Sequence, residues 1–135
     1  MLKTKKFSQT LKIKARPAEV YEALMDSAKH TELTGAKAVI SPEEGGAFEA
    51  YDGYITGKNV ELVKFEKIVQ EWRGDEEKWP KEHYSKVTFS LKPIQGGTEI
   101  TFSHEAIPES AFENIKQGWE DFYWKPLKKK FGELK

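Results

Sequence analysis

The 135-residue sequence contains no cysteine, so disulfide bonds, thiolate nucleophiles and cysteine metal ligands are all excluded. It also lacks an apolar run long enough to cross a membrane. The first 14 residues carry lysines but no continuous apolar segment, and no signal peptide is visible there. We therefore predict a cytoplasmic protein that does not associate with a membrane.

Arginine is scarce, and the chain has no net charge of either sign. The 22 basic residues balance 22 acidic ones, and only Arg16 and Arg73 are arginines. Recognition of phosphate groups favours a clustered basic surface and the planar guanidinium group. The composition therefore argues against nucleic acid as a partner.

The chain has enough apolar residues to form one hydrophobic core, since 38% of its residues are hydrophobic and 13% are aromatic. We therefore predict a single domain over residues 1–135 and a monomer.

Signatures of catalysis and of metal binding are also missing. His30, His83 and His104 are the only histidines, and none stands at metal-ligand spacing from a second ligand. The sequence has no glycine-rich phosphate loop and no nucleophile motif. We therefore predict no metal site, no cofactor and no catalytic residue, and we expect a binding protein and not an enzyme.

The first part of the chain predicts a strand followed by two short helices. Apolar and polar residues alternate from Phe7 to Ile13, which is typical of a half-buried strand. Pro17 suits the first position of a helix, where its missing N–H would be unpaired anyway. A second helix is expected to begin with Ser27 as its N-cap and to end at Gly35.

The middle of the chain has the pattern of an antiparallel sheet. Turn signals at Gly45-Gly46, Asp52-Gly53 and Gly96-Gly97 separate short segments of alternating hydrophobicity. The strands predicted from this pattern cover residues 38–40, 47–51, 54–63, 68–73, 84–91 and 98–102.

The C-terminal part predicts one long amphipathic helix. Ser110 and Glu113 have the spacing of a capping box, and Pro126 should distort the helix because it removes a backbone hydrogen bond. Apolar residues recur at three- and four-residue steps from Ile115 to Phe131 and form one wide stripe. Burial of this stripe predicts an α+β fold in which a seven-stranded, curved antiparallel sheet surrounds the terminal helix.

Short motifs in a fixed order cover nearly the whole chain. They lie at residues 15–21, 45–48, 52–53, 55–57, 68–69, 72–73, 79–80, 83–84, 118–119, 123–124 and 126–127. In this order they resemble the START-like superfamily, also called SRPBCC or helix-grip, and more narrowly the family of activators of heat-shock protein 90 ATPase. The resemblance implies a helix-grip fold with a partly apolar cavity between the sheet and the long helix. It also implies a co-chaperone-like domain that binds a heat-shock protein 90 chaperone and modulates its ATPase.

The eukaryotic activators in this family carry such a domain at their C-terminus, behind an N-terminal domain that makes most of the chaperone contact. Nothing in these 135 residues resembles that N-terminal domain. The alternative function is therefore a carrier or sensor that holds a small hydrophobic ligand between sheet and helix.

Six residues are candidates for lining the cavity. They are Trp72, Phe89, Phe102, His104, Trp119 and Tyr123. The alternative is that they pack the sheet against the helix, because aromatic side chains dominate core energetics. In that case His104 is a structural histidine whose hydrogen bonds are satisfied inside the protein.

Trp79 and Tyr84 are the candidates for contact with a partner protein. Trp79 lies in a charged loop, residues 74–83, where an exposed tryptophan would serve as an anchor. The equal alternative is a tryptophan that folds back over the domain as a lid. The lysines at 128–130 are interpreted as a solvated helix end, with docking to an acidic partner as the alternative.

Overall fold

One antiparallel sheet organises residues 2–134, the part of the chain that the computed structural model describes; Met1 and Lys135, the ends of the predicted domain, lie outside it. The strands are β1 (Thr4–Ile13), β2 (Val39–Ile40), β3 (Ala47–Ala50), β4 (Ile55–Val63), β5 (Lys67–Gly74), β6 (Ser85–Ile94) and β7 (Gly97–Pro108). They lie in the order β1-β7-β6-β5-β4-β3-β2, so the chain runs from β2 to β7 through successive hairpins. Strand β7 extends beyond its predicted end because residues 103–108 pair with β1 and, in part, with β6.

Two short helices connect β1 to β2, as predicted. Helix α1 covers Pro17–Met25 and helix α2 covers Ser27–Thr34, which ends at Gly35 in the left-handed conformation with φ 81°. The prediction that Ser27 caps α2 is wrong. The Asp26 carboxylate accepts the backbone N–H of Lys29 at 2.9 Å, whereas the Ser27 hydroxyl bonds to the backbone of β2.

The C-terminal helix is continuous but irregular. Its parts are a 3-10 turn (Glu109–Ala111), α3 (Phe112–Trp119), a π-helical turn (Glu120–Trp124) and α4 (Lys125–Phe131). The predicted capping by Ser110 is wrong, because the 3-10 turn places this residue ahead of the first α-helical position and no side chain caps α3. The distortion expected at Pro126 takes the form of the π-helical turn just before it. A widened turn relieves the clash between the proline ring and the carbonyl four residues earlier.

Most of the apolar stripe of this helix is buried against the sheet, as predicted, but Phe122, which belongs to the predicted stripe, is 47% exposed. Ile115, Trp119 and Tyr123 are each at most 5% exposed, and Leu127 is 0% exposed. A curved, seven-stranded antiparallel sheet around a C-terminal helix is the helix-grip arrangement, so the predicted fold is confirmed. None of the helices in residues 2–134 combines the length and the hydropathy that crossing a membrane requires.

Two glycines show where the backbone is crowded and where it is not. A Cβ atom at Gly57 on β4 would lie 1.9 Å from the Glu71 carbonyl oxygen and 2.8 Å from the Phe48 ring. A Cβ atom at Gly118 on α3 would meet only Phe122, at 3.8 Å. The sheet therefore requires glycine at position 57, whereas the helix has free space at position 118.

We expect opposite effects from alanine at these two positions. Gly57→Ala should lower the free energy of unfolding by about 3 kcal/mol, because strand and ring must both move away from the new methyl group. Gly118→Ala should raise it by about 0.5–1 kcal/mol, the usual gain when alanine replaces glycine inside a helix. Urea denaturation of both variants measures the difference, and similar stabilities for the two would contradict this account of the packing.

Candidate functional site

The sheet and the C-terminal helix meet in a dense aromatic cluster with Trp119 at its centre. The Trp119 ring centroid lies 4.5 Å from that of Phe102, 4.6 Å from that of Tyr123, and 5.8 Å from those of Trp72 and Phe89. All five side chains are at most 5% exposed. Tilted and edge-to-face aromatic pairs each contribute about 0.5–1.5 kcal/mol beyond the burial of their area. The cluster therefore accounts for much of the contact between the two layers.

Little space remains inside the cluster. The pocket between sheet and helix measures only about 20 Å³, which is room for a single water molecule. Phe102 and His104 line neither this pocket nor the larger one at the flank of the helix, and of these two pockets Phe89 lines only the small one. The prediction of a ligand cavity is therefore wrong for these three residues. These three residues instead pack the sheet against the helix, and their interlocked rings occupy the volume that a ligand would need.

His104 is completely buried and fully hydrogen-bonded. The Trp119 indole Nε1–H donates to His104 Nδ1 at 3.0 Å, so His104 Nε2 carries the proton and donates to the Ser85 hydroxyl at 2.7 Å. That hydroxyl donates in turn to the Trp72 carbonyl oxygen at 2.7 Å. Burial lowers the pKa of His104 to about 3. His104 is therefore a neutral structural histidine that links the helix to β5 through β6.

A second buried histidine, His30 on α2, faces the π-helical turn. Its Nε2 lies 3.1 Å from the Tyr123 hydroxyl, and its Nδ1 has no hydrogen-bond partner within residues 2–134. Burial lowers the pKa of His30 to about 4 and raises the pKa of Tyr123 above its ordinary value. The two groups therefore form a neutral pair across the domain. Sequence reasoning considered His30 only as a metal ligand and missed this contact.

A larger opening, a pocket of about 400 Å³ that is partly open to solvent, lies between the C-terminal helix and one end of the sheet. We call it the groove. Of the six predicted cavity residues, Trp72, Trp119 and Tyr123 line the groove. Its volume falls within the range of small-molecule sites, about 300–1,000 Å³. The groove is therefore the place where the domain has room for a ligand.

The turn between β3 and β4 supplies one aromatic wall of the groove. Tyr51 and Asp52 adopt positive φ angles of 53° and 56°, and Gly53 follows at 92°, so the predicted Asp52-Gly53 turn is confirmed. Tyr51 is held in its strained conformation by a hydrogen bond from its hydroxyl to the Thr34 carbonyl oxygen at 3.2 Å. Its ring lies 4.9 Å from that of Phe122, which is 47% exposed. These two rings form an aromatic rim at the groove.

A half-buried carboxylate, Glu76, also lines the groove. The Tyr54 hydroxyl donates to the Glu76 carboxylate, and the Asn114 Nδ2 group lies 3.3 Å from it. Burial, together with the hydrogen bond to Glu76, raises the pKa of Tyr54 above its ordinary value, so the hydroxyl remains a donor. Tyr54 and Asn114, which are far from Glu76 in the sequence, thus meet at its carboxylate. The sequence pattern did not identify Glu76 as a site residue.

The π-helical turn brings a second carboxylate, Asp121, to the groove. Asp121 Oδ1 accepts hydrogen bonds from Gln117 Nε2 at 3.0 Å and from Lys125 Nζ at 3.1 Å. Turns of this kind occur frequently at functional sites. The helix face at the groove has a signal in the sequence. Beside the buried stripe, Asn114, Gly118 and Phe122 recur at four-residue steps. Within residues 2–134, no three histidine or acidic side chains are grouped to hold a metal ion.

The loop between β5 and β6 folds back over the domain. Trp79 is 3% exposed, its ring lies 5.9 Å from that of Trp72, and its Nε1–H donates to the His83 carbonyl oxygen at 2.8 Å. The Arg73 guanidinium donates to the Trp79 carbonyl oxygen at 2.8 Å. The prediction of an exposed tryptophan anchor is therefore wrong, and the lid alternative is correct. Tyr84, in contrast, is 43% exposed and accessible to a partner.

The helix-grip architecture and its filled aromatic centre define the structural class, and comparison with known proteins defines the family. Residues 14–132 match the family described as "Activator of Hsp90 ATPase homolog 1-like protein". The chain belongs to this family, as its motifs indicated.

Curated relatives agree with this assignment. The human "Activator of 90 kDa heat shock protein ATPase homolog 1" is 30% identical over 116 residues, which cover 86% of this chain and 34% of that protein. The mouse homolog 2 is 37% identical over 91 residues, which cover 67% of this chain and 27% of the relative. The chain thus spans about a third or less of the length of these two relatives.

Solved structures confirm the fold over nearly the whole chain. A crystal structure of an HSP90 activator from Plasmodium falciparum has 25% identity and a TM-score of 0.86, covering 96% of this chain and 97% of the other. The Aha1 dimer from Colwellia psychrerythraea shares the fold at 16% identity and a TM-score of 0.76, covering 92% and 94% of the two chains. The monomer predicted for this chain remains a prediction.

The two buried histidines should make the domain less stable in acid. Both imidazoles protonate in the unfolded chain near the ordinary pKa of about 6.5, but in the folded protein only near 4 for His30 and 3 for His104. Between these values the unfolded state binds more protons, so the free energy of unfolding should fall as the pH falls from 6.5 to 4. Urea denaturation at a series of pH values measures this slope.

His30→Gln should flatten that slope, because the substitution removes one of the two protonation sites. The free energy of unfolding of the variant at each pH is compared with its own value at neutral pH. A loss of stability from altered packing that is the same at every pH therefore does not affect the slope. An unchanged slope in His30→Gln would contradict the assignment of His30 as a neutral buried histidine.

Proposed function

We propose that this chain is a non-catalytic, co-chaperone-like domain that binds a heat-shock protein 90 chaperone and modulates its ATPase. The observation that carries the proposal is the match to the Plasmodium falciparum chain, which is described as an HSP90 activator and is covered over 97% of its length. The Plasmodium falciparum chain, which consists almost entirely of this fold, is therefore described as an HSP90 activator. Membership of the activator family supports the same function, and the cytoplasmic location predicted from the sequence is compatible with it.

The accessible surface supplies candidate contacts for the chaperone. Tyr84 offers an exposed aromatic ring directly after the loop that Trp79 holds in place. Lys128 and Lys130 at the helix end are engaged with carboxylates on the same surface, at 3.4 Å and 3.1 Å, which favours the solvated interpretation of this lysine run. We therefore assign partner contact to Tyr84, and we assign Trp79 the role of holding the preceding loop in place.

The test is the ATPase rate of a purified heat-shock protein 90 chaperone with and without an excess of this domain. We expect the domain to change the rate, and Tyr84→Ala to weaken its apparent affinity by about tenfold, as for other aromatic contact residues. Val60→Ala, which changes a side chain 49% exposed on β4, serves as the matched control. No binding and no change in rate would rule the proposal out.

The groove supports a second candidate function, the binding of a small apolar ligand. Its volume of about 400 Å³ and its aromatic walls are the specific observations in favour. Gly118 contributes to this space because it has no side chain and a Cβ atom there meets nothing closer than 3.8 Å. A carrier or sensor of this kind would hold its ligand at the flank of the helix, beside the filled aromatic centre.

A neutral fluorescent probe, N-phenyl-1-naphthylamine, tests the second candidate directly. We expect saturable binding with one probe per chain, and we expect Gly118→Leu to weaken it at least about tenfold because the new side chain occupies the groove. Glu113→Leu, on an exposed position of α3 outside the groove, should leave the affinity unchanged. Absence of binding to the unmodified domain, or equal binding by Gly118→Leu, would exclude a ligand site in the groove.

A further inference from the structure

The charges at the groove have one sign. Glu76 and Asp121 are the only ionised side chains in its lining, and none of the lining residues is lysine, arginine or histidine. Asp121 is paired with Lys125 at 3.1 Å, which offsets part of its charge. Glu76 has no cationic partner within 4.0 Å in the part of the chain that the structure describes. Within residues 2–134, the groove therefore contains one acidic side chain, Glu76, without an ion-pair partner.

The Glu76 carboxylate is held in place and still has capacity to accept. The Tyr54 hydroxyl donates to one of its oxygens, and the Asn114 amide lies 3.3–3.4 Å from both. An ionised carboxylate has about four acceptor positions, and these two neutral donors do not fill them. The carboxylate is also only half-buried, so a ligand in the groove can reach it. A cation entering the groove would complete its coordination.

Among the described residues, no lysine ammonium group lies over the aromatic rings at the rim of the groove. Lysine ammonium groups in residues 2–134 lie over the rings of Phe7, Phe65, Phe112 and Phe131, all of them outside the groove. Tyr51 and Phe122, whose centroids are 4.9 Å apart at the rim, have no such neighbour. An organic cation is attracted by the negative face of an aromatic ring, and quaternary ammonium groups are recognised in cages of such rings.

We propose that the groove binds a small organic cation, with its ammonium group against Glu76 and the aromatic rim and its apolar body against Trp72 and Trp119. This inference rests on the second proposed function, ligand binding in the groove, and adds the charge of the ligand. A carboxylate ligand is disfavoured because it would meet Glu76 and Asp121 with no compensating cation in the lining. A neutral ligand gains the apolar contacts but leaves Glu76 without a counter-charge.

Three probes of matched shape separate these cases. Phenethylammonium, 2-phenylethanol and phenylacetate share a phenyl ring on a short chain and differ in the charge of the end group. Titration of each into the isotopically labelled domain, followed through the amide signals and the indole N–H signals of Trp72 and Trp119, yields the three affinities. We expect the ammonium compound to bind about tenfold more tightly than the alcohol, and the carboxylate to bind most weakly.

A charge-removing substitution assigns the preference to Glu76. Glu76→Gln retains an oxygen acceptor for Tyr54 and removes the charge, so it should reduce the ammonium preference to about twofold or less while the alcohol still binds. Glu77→Gln removes the same charge from the neighbouring exposed position, and it should keep the preference. Retention of the preference in Glu76→Gln, or its loss in Glu77→Gln, overturns the assignment.

The outcomes also distinguish this proposal from the one on which it rests. If all three probes bind with similar affinity, the groove is a ligand site but the cation proposal is wrong. If none of the three binds, both the cation proposal and the ligand-binding function are wrong, and the chaperone proposal is unaffected.

Discussion

Trp119 joins the C-terminal helix to the sheet through both its ring and its N–H group. The ring packs against Phe102 with 4.5 Å between centroids, and the indole N–H donates to His104 at 3.0 Å. From His104 the hydrogen bonds continue through Ser85 to the Trp72 carbonyl oxygen on β5. Trp119 thus takes part both in apolar packing and in a continuous series of hydrogen bonds, and the position of the helix relative to the sheet depends on it.

The density of this contact also decides where the domain has free volume. Because the rings around Trp119 leave only about 20 Å³ between the layers, any larger space must lie at the flank of the helix. There the π-helical turn presents Asp121 and Phe122, and Gly118 leaves a gap in the helix surface. The groove of about 400 Å³ lies at this flank.

The fold is shared with other proteins, whereas the candidate binding residues lie at positions that the fold does not specify. The Plasmodium falciparum activator has a TM-score of 0.86 at 25% identity, so the same fold forms from two chains that differ at most of their positions. The groove carboxylate Glu76 and the exposed Tyr84 lie outside the core, in or next to the loop between β5 and β6. Such positions carry the chemistry of a binding surface, and the fold alone does not specify them.

Local pattern alone predicted that the strands and the two short helices form, the Asp52-Gly53 turn and most of the buried stripe of the last helix, although β7 extends beyond its predicted end. Each of these follows from periodicity or turn chemistry within a few residues, which the sequence contains in full. Tertiary structure decided that Trp79 folds inward, that His104 is satisfied by Trp119, and that Tyr54, Glu76 and Asn114 meet at one groove. Periodicity indicates which side chains face the interior, but the partners of Glu76 are 22 and 38 residues away, and only the packing of the layers brings them together.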